Sequence, residues 1–201
     1  KSIGSLRTQY GKDLTNSDAK TRLTALGVAL IDQTCERPGN EESVKERGHF
    51  GISTLQARHV SFEGSKAVLS YTGKSGVKHT KDVTDAKTVS ALKKAGKGKK
   101  GEDPVLCEGD DCNVDASDLN TYLKPFDVTA KDIRGMRANE EMKTRLKAER
   151  KKGPSLPTDR KEKDEILKKE FDAALKATAK VVGHEEATLK GQYLVPKLER
   201  S

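Results

Sequence analysis

The stretch from His59 to Val83 constrains the fold most. Its three short runs, "HVSFEG", "KAVLSYTG" and "VKHTKDV", alternate apolar and polar side chains and are separated by glycine turns. They read as a small antiparallel sheet, with Lys74 at a hairpin tip. The segments around it carry helical spacing. "NSDAKTRLTALGVALIDQT" sets Leu23, Leu26, Leu30 and Ile31 on one face and predicts an amphipathic core helix capped by Asn16 or Ser17. In "RPGNEESVKERG", Pro38 and Gly39 break the chain, Asn40 caps a short helix and Gly48 ends it, so Arg37 falls between two helices.

Further on, "TVSALKKAGKGKKGEDP" is a helix dissolving into a basic loop. "SDLNTYLKPF" and "TAKDIRGMRANEEMKTRLKAER" are two more helices, the second opened by a capping box of Thr129 with Asp132. After the breaker "KKGPSLPTD", apolar positions from Ile166 to Val181 line one side of a long helix that stops near Gly183. The tail then carries His184 and Tyr193. The fold class expected is α+β, mainly α, with a three-stranded antiparallel sheet.

Composition narrows the partner. In 201 residues, 39 Lys and Arg against 31 Asp and Glu leave a net charge of +8, which favours a polyanion such as nucleic acid. Aromatics make up 4% with no Trp, so a stacking platform for single strands is not expected. The longest apolar run, "ALGVALI" from Ala25 to Ile31, is too short to span a bilayer, and nothing resembles a signal peptide, so no membrane partner is expected. Three scattered cysteines form no disulfide framework and point to a reducing compartment. The first residue is Lys1 and not methionine, which fits a piece of something longer.

Several motif fragments fail on context. "GKS" at 73–75 ends like a phosphate-cradling P-loop, but Val68 stands where the first glycine belongs and a strand pattern precedes it. Gly96, Gly98 and Gly101 spell GxGxxG after a helix, whereas the dinucleotide fingerprint must follow a strand and open a helix. Cys107 and Cys112 lack two further zinc ligands. Asp111, Asn113 and Asp115 start like a calcium loop, but Ala116 replaces its glycine and Tyr122 its closing glutamate. Neither a nucleotide, a metal nor another cofactor is expected.

Five points remain, in chain order: Arg37 in "RPGNEE", Lys74 in "YTGKSGVKH", Arg134 in "AKDIR", His184 in "VGHEEAT" and Tyr193 in "GQYLVP". Singly each is an ordinary cap, core or solvated residue. Together with "GISTLQARHV", their order and contexts resemble the type IB DNA topoisomerases, especially the compact poxvirus-like and bacterial members, from about Leu6 to Leu198. The resemblance implies the DNA breaking-rejoining enzyme fold. It also implies that residues 1–201 are a catalytic domain lacking the additional N-terminal domain that normally completes a clamp around duplex DNA. It further implies a monomer that works inside the cell on DNA, in cytoplasm or nucleoid, or in a virus particle.

The resemblance assigns roles that suit the residue types. A tyrosine hydroxyl titrates near ~10 and is a weak nucleophile unless positive charge surrounds its developing phenolate. Tyr193 is the implied nucleophile and becomes joined to a 3′ phosphate, while Arg37, Arg134 and His184 hold the phosphate oxygens. Lys74 is the implied general acid for the departing 5′ oxygen, a role typically worth ~10² to 10⁴ in rate. Lys131, His79 and Lys45 are candidate DNA backbone contacts, each with a merely solvated charge as its plain alternative.

Two rival readings stand beside it. A tyrosine recombinase shares the arginine, histidine and tyrosine spacing, but usually has His-x-x-Arg where this chain has Lys131-Asp-Ile-Arg134. A non-catalytic DNA-binding module would not be expected to keep all five residues. Departures from the family pattern are "GMRANEEM" after Arg134, where Thr and an aromatic are usual, and "LKGQYLVP", which lacks the Ser common before the tyrosine. These bear on substrate details more than on the reaction.

Overall fold

The computed structural model describes residues 2–109 and 113–195, and the chain divides into two compact units, Lys1–Ile133 and Arg134–Ser201. Cys112 and Asp111, which entered the zinc and calcium readings, lie outside the described residues.

The first unit is organised around helix α2 (Ala19–Thr34). Its N-cap is Asp18, one or two residues later than the sequence pattern indicates. The Asp18 carboxylate accepts the Thr21 N–H at 2.8 Å, while the Asn16 side chain accepts the Asp18 N–H. The expected one-sided amphipathic helix is in fact buried almost all round, from Arg22 to Asp32. It packs against α1 (Ser2–Asp13), α4 (Ala86–Ala95), α5 (Ala116–Leu123) and the sheet, so several faces need covering. Its buried charges are paired: Arg22 with Glu108, and Asp32 with Arg7 and the Tyr10 hydroxyl of α1. Helix α1 escaped the sequence reading because only Ile3, Leu6 and Tyr10 mark its inner face among polar residues.

The sheet matches its pattern. Strands β1 (Val60–Glu63), β2 (Lys66–Thr72) and β3 (Lys78–Val83) pair antiparallel in that order. Tyr71 lies opposite His79 and Leu69 opposite Lys81. Successive side chains alternate across a strand, so His79 and Lys81 share the face that carries Tyr71 and Leu69. Between α2 and the sheet comes α3 (Glu41–Arg47), capped by Asn40 and ended by Gly48 at φ 65°, as its sequence predicts.

The second unit contains most of α6 (Ala130–Lys152), with α7 (Arg160–Val182) and α8 (Glu186–Gln192). The capping box at the start of α6 is present: Thr129 Oγ1 accepts the Asp132 N–H and Asp132 accepts the Thr129 N–H. Phe171, Ala174, Leu175, Thr178, Ala179 and Val182 form the buried stripe of α7, and Ala138 and Met142 are buried on α6. Gly183, at φ 71°, ends α7 in the left-handed region that glycine tolerates. Helix α8 carries a single buried apolar residue, Leu189, too little for a periodicity signal. No helix among the described residues is long and apolar enough to cross a membrane.

Candidate active site

Of the five residues singled out by motif, two lie in the first unit and three in the second. In the first, α2 ends on Cys35 in the left-handed conformation, and the next residues, Glu36 and Arg37, lead into the loop before α3. That loop is fixed through its backbone. The Arg37 carbonyl accepts the Ile52 N–H at 2.9 Å, and Gly39 donates to Ser53 Oγ at 3.0 Å. The arginine side chain is exposed. Its backbone is therefore held while its guanidinium is left to reach outward.

Gly51 is the close approach that permits this. A Cβ there would meet Gly39 Cα at 2.7 Å and the Arg37 carbonyl at 2.8 Å, both backbone atoms that cannot swing aside. We expect Gly51→Ala to displace the Arg37 loop, at about 1–3 kcal/mol of stability by the usual cost of overpacking. Thermal unfolding is the measurement, and an unchanged midpoint would show that the loop yields without strain.

Lys74 is exposed at the tip between β2 and β3. The tip is closed by Gly73 N–H to the Val77 carbonyl at 2.7 Å and by Gly76 N–H to the Gly73 carbonyl at 3.1 Å. Directly beneath it the Tyr71 and His79 rings stack, with centroids 5.5 Å apart and planes 19° from parallel. Glu36, buried and adjacent to Arg37, binds both: Oε2 accepts the Tyr71 hydroxyl at 2.9 Å and Oε1 lies 2.9 Å from His79 Nδ1. Lys81 Nζ approaches the same Oε1 at 3.4 Å.

Burial by itself would raise the Glu36 carboxyl, but the His79 hydrogen bond, the Lys81 charge and the Tyr71 hydroxyl outweigh it. They hold the carboxyl below the ordinary carboxylate range. A group depressed in the folded state contributes its stability above the ordinary value of ~4.3 and loses it as pH falls toward the lower folded value. Glu36→Gln is therefore expected to lower the melting temperature at neutral pH, with the gap to wild type holding down to about pH 5 and narrowing from there to about pH 3. A gap constant across that range would refute the assignment.

In the second unit the remaining three residues meet. Arg134 on α6 is 5% exposed. One of its guanidinium nitrogens lies 3.1 Å from His184 Nε2. A guanidinium has no acceptor, so in this contact Nε2 accepts and Arg134 donates. The His184 and Tyr193 rings stack at 4.6 Å and 16°, and the Arg134 guanidinium carbon lies 5.5 Å from the Tyr193 ring centroid. His184 is placed by the turn after α7, where the N–H groups of Gly183 and His184 both bond the Ala179 carbonyl. Tyr193 is the C-cap of α8.

Asn139, which the sequence reading missed, grips the tyrosine segment on both sides. Its Nδ2 donates to the Tyr193 carbonyl at 2.7 Å and its Oδ1 accepts the Val195 N–H at 2.9 Å. Its one sequence signal is a polar residue five places after Arg134 on a helix whose neighbour Ala138 is buried. Of the candidate DNA contacts, Lys131 and Lys45 are exposed, on the first turn of α6 and the last turn of α3. His79 is mostly covered, its Nδ1 engaged by Glu36 and its Nε2 edge against Gly73. Among the described residues no cluster of His, Cys, Asp and Glu could hold a metal ion.

The fold is that of the DNA breaking and rejoining enzymes. It covers 92% of this chain and 47% of a XerH site-specific recombinase, solved bound to palindromic difH substrate in a post-cleavage complex, with a TM-score of 0.54. At 12% identity that likeness is one of fold alone. Within this class the chain belongs to the topoisomerase I family, since the model for the eukaryotic DNA topoisomerase I catalytic core matches residues 1–196. Among its relatives are DNA topoisomerase 1 beta of Arabidopsis thaliana, 30% identical over 75% of this chain. DNA topoisomerase 1B of Acanthamoeba polyphaga mimivirus is 26% identical over 88% of it. The chain spans 16% of the plant relative's length and 53% of the viral one's. The family resemblance carried by the motifs is borne out.

Proposed function

We propose that this chain is the catalytic part of a type IB DNA topoisomerase, relaxing supercoiled duplex DNA by transient cleavage of one strand without ATP or metal. The observation that supports this best is the contact among Arg134, His184 and Tyr193, which joins a nucleophile to a guanidinium donor and to an imidazole that accepts from it at Nε2 and keeps its N–H on the other ring nitrogen.

The Tyr193 oxygen attacks the phosphorus, the bond to the 5′ oxygen breaks, and the tyrosyl proton leaves to solvent while Lys74 supplies one to the departing oxygen. The products are a 3′-phosphotyrosyl bond and a free 5′ hydroxyl, whose reverse attack reseals the strand after it has swivelled. One phosphodiester replaces another, so bond energy is conserved and no nucleotide triphosphate is consumed. Arg37 and Arg134 offer planar guanidinium forks, and His184 a ring N–H, to the oxygens that gain charge in the five-coordinate transition state. Exposed Lys131 and Lys45 are assigned to the DNA backbone, whereas His79, the third candidate, is taken up by Glu36 and the Gly73 turn and is assigned to the hairpin instead. The protein acts as a monomer on DNA inside a cell or virus particle, and an N-terminal domain outside this chain completes its grip on the duplex. Binding by this chain alone is then weaker and, with fewer phosphates neutralised, shallower in its salt dependence.

The recombinase fold likeness favours a second reading, site-specific strand exchange. The test mixes the protein with supercoiled plasmid lacking any recombination site, with and without a chelator, and with labelled duplex carrying a nick that lets the cleaved end diffuse away. Relaxation unaffected by the chelator, together with a denaturant-resistant adduct at a 3′ end, is expected. An adduct confined to one palindromic site, with no relaxation, would favour the recombinase. No adduct at all would leave a DNA-binding module.

A further inference from the structure

We propose that Glu36 is the positioning residue for the Lys74 hairpin, fixing the lysine tip relative to the backbone that carries Arg37. The inference rests on Lys74 being the proton donor of the reaction above. Glu36 is 5% exposed and stands immediately before Arg37, yet its carboxylate is spent on the hairpin. Oε2 takes the Tyr71 hydroxyl from β2, and Oε1 takes His79 and Lys81 from β3, so one side chain ties both strands. Tyr71 and His79 are register partners close to the closed end of the hairpin. His79 then carries the constraint to the tip, because its Nε2 edge packs against Gly73, the residue before Lys74, where a Cβ would come within 2.6 Å.

Core packing alone does not account for this. A carboxylate removed from water is costly unless fully paired, and hydrophobic residues would join the same strands more cheaply. A charged, hydrogen-bonded junction fixes direction as well as distance, since each oxygen must meet its own donor. Lys74 itself is exposed and flanked by Ser75 and Gly76 at positive φ, so the tip owes its placement to the strands below. A displacement of an ångström at a catalytic group costs about 10²-fold.

The test uses the full-length protein and single-turnover cleavage of two duplexes, one normal and one with sulfur replacing the bridging 5′ oxygen at the scissile position. A thiol, with a pKa near ~8.5, departs without a proton, whereas an alkoxide does not. A residue that acts through Lys74 therefore loses its importance on the sulfur substrate. Glu36→Gln is expected to slow the oxygen substrate by about 10-fold to 100-fold and the sulfur substrate by less than about 3-fold, a near-complete rescue that follows from the removed need for an acid. Tyr71→Phe and His79→Gln, which leave the carboxylate in place, should show smaller losses of the same selectivity and decide the matter if Glu36→Gln does not fold. Equal losses on both substrates, or none on the oxygen substrate, overturn the inference. Lys74→Ala run beside them separates the causes. If it is slow on oxygen and rescued by sulfur while Glu36→Gln is not rescued, only the positioning role fails. If it is equally slow on both, the proton-donor reading fails and the inference falls with it.

Discussion

Tyr193→Phe is expected to yield no denaturant-resistant DNA adduct and no relaxation, a loss of at least ~10⁶-fold, because the variant lacks the oxygen that must bond to phosphorus. The ring itself should stay in place. Tyr193 is 9% exposed, stacked on His184 and held through its backbone by Asn139, and none of these contacts uses the hydroxyl. The variant should therefore fold, melt near the wild-type temperature and bind duplex DNA with the same salt dependence. That combination separates loss of chemistry from loss of structure. An adduct that persists in Tyr193→Phe would place the nucleophile elsewhere and remove the basis for the mechanism.

The second large effect is expected at Arg134. Arg134→Ala should slow single-turnover cleavage by about 10²–10³-fold, the usual cost of deleting one donor to a developing oxyanion. Arg134→Lys should recover little of it. A lysine ammonium is a point charge and cannot present two N–H groups in the fork that matches two phosphate oxygens. Arg134 also touches His184 and lies by the Tyr193 ring. Removing both Arg134 and His184 is therefore expected to cost less than the product of the single losses, since each variant already disturbs the other's position. Full activity in Arg134→Lys would mean that charge alone suffices, and strict multiplicativity in the double variant would mean that the two side chains act independently.

Where the chain announced its structure, it did so through local rules. Gly48 and Gly183 sit at positive φ where the helices stop, and Asn40, Thr129 and Asp132 make the capping bonds that their spacing implies. Glycine turns and alternating side chains located the three strands and put Lys74 at a tip. Local rules were also where small errors arose. Asn16 and Ser17 are plausible caps by type, but Asp18 accepts the N–H that counts. Helices α1 and α8 were passed over because each buries few apolar residues of its own and depends on what packs against it.

The motifs identified the family, and with it Arg37, Lys74, Arg134, His184 and Tyr193 as the residues worth testing, because residue type and order along a chain survive without any knowledge of distance. What surrounds those residues came only from the tertiary structure. Glu36 meets Tyr71 and His79 across separations of 35 and 43 residues, and Asn139 meets Tyr193 across 54. A glutamate before an arginine and an asparagine on a charged helix look like solvated surface in the sequence. They become junctions, Glu36 buried and Asn139 half-buried, only because segments fixed elsewhere pack against them, and burial, unlike capping or turn chemistry, is a property of the folded neighbourhood and leaves no local mark.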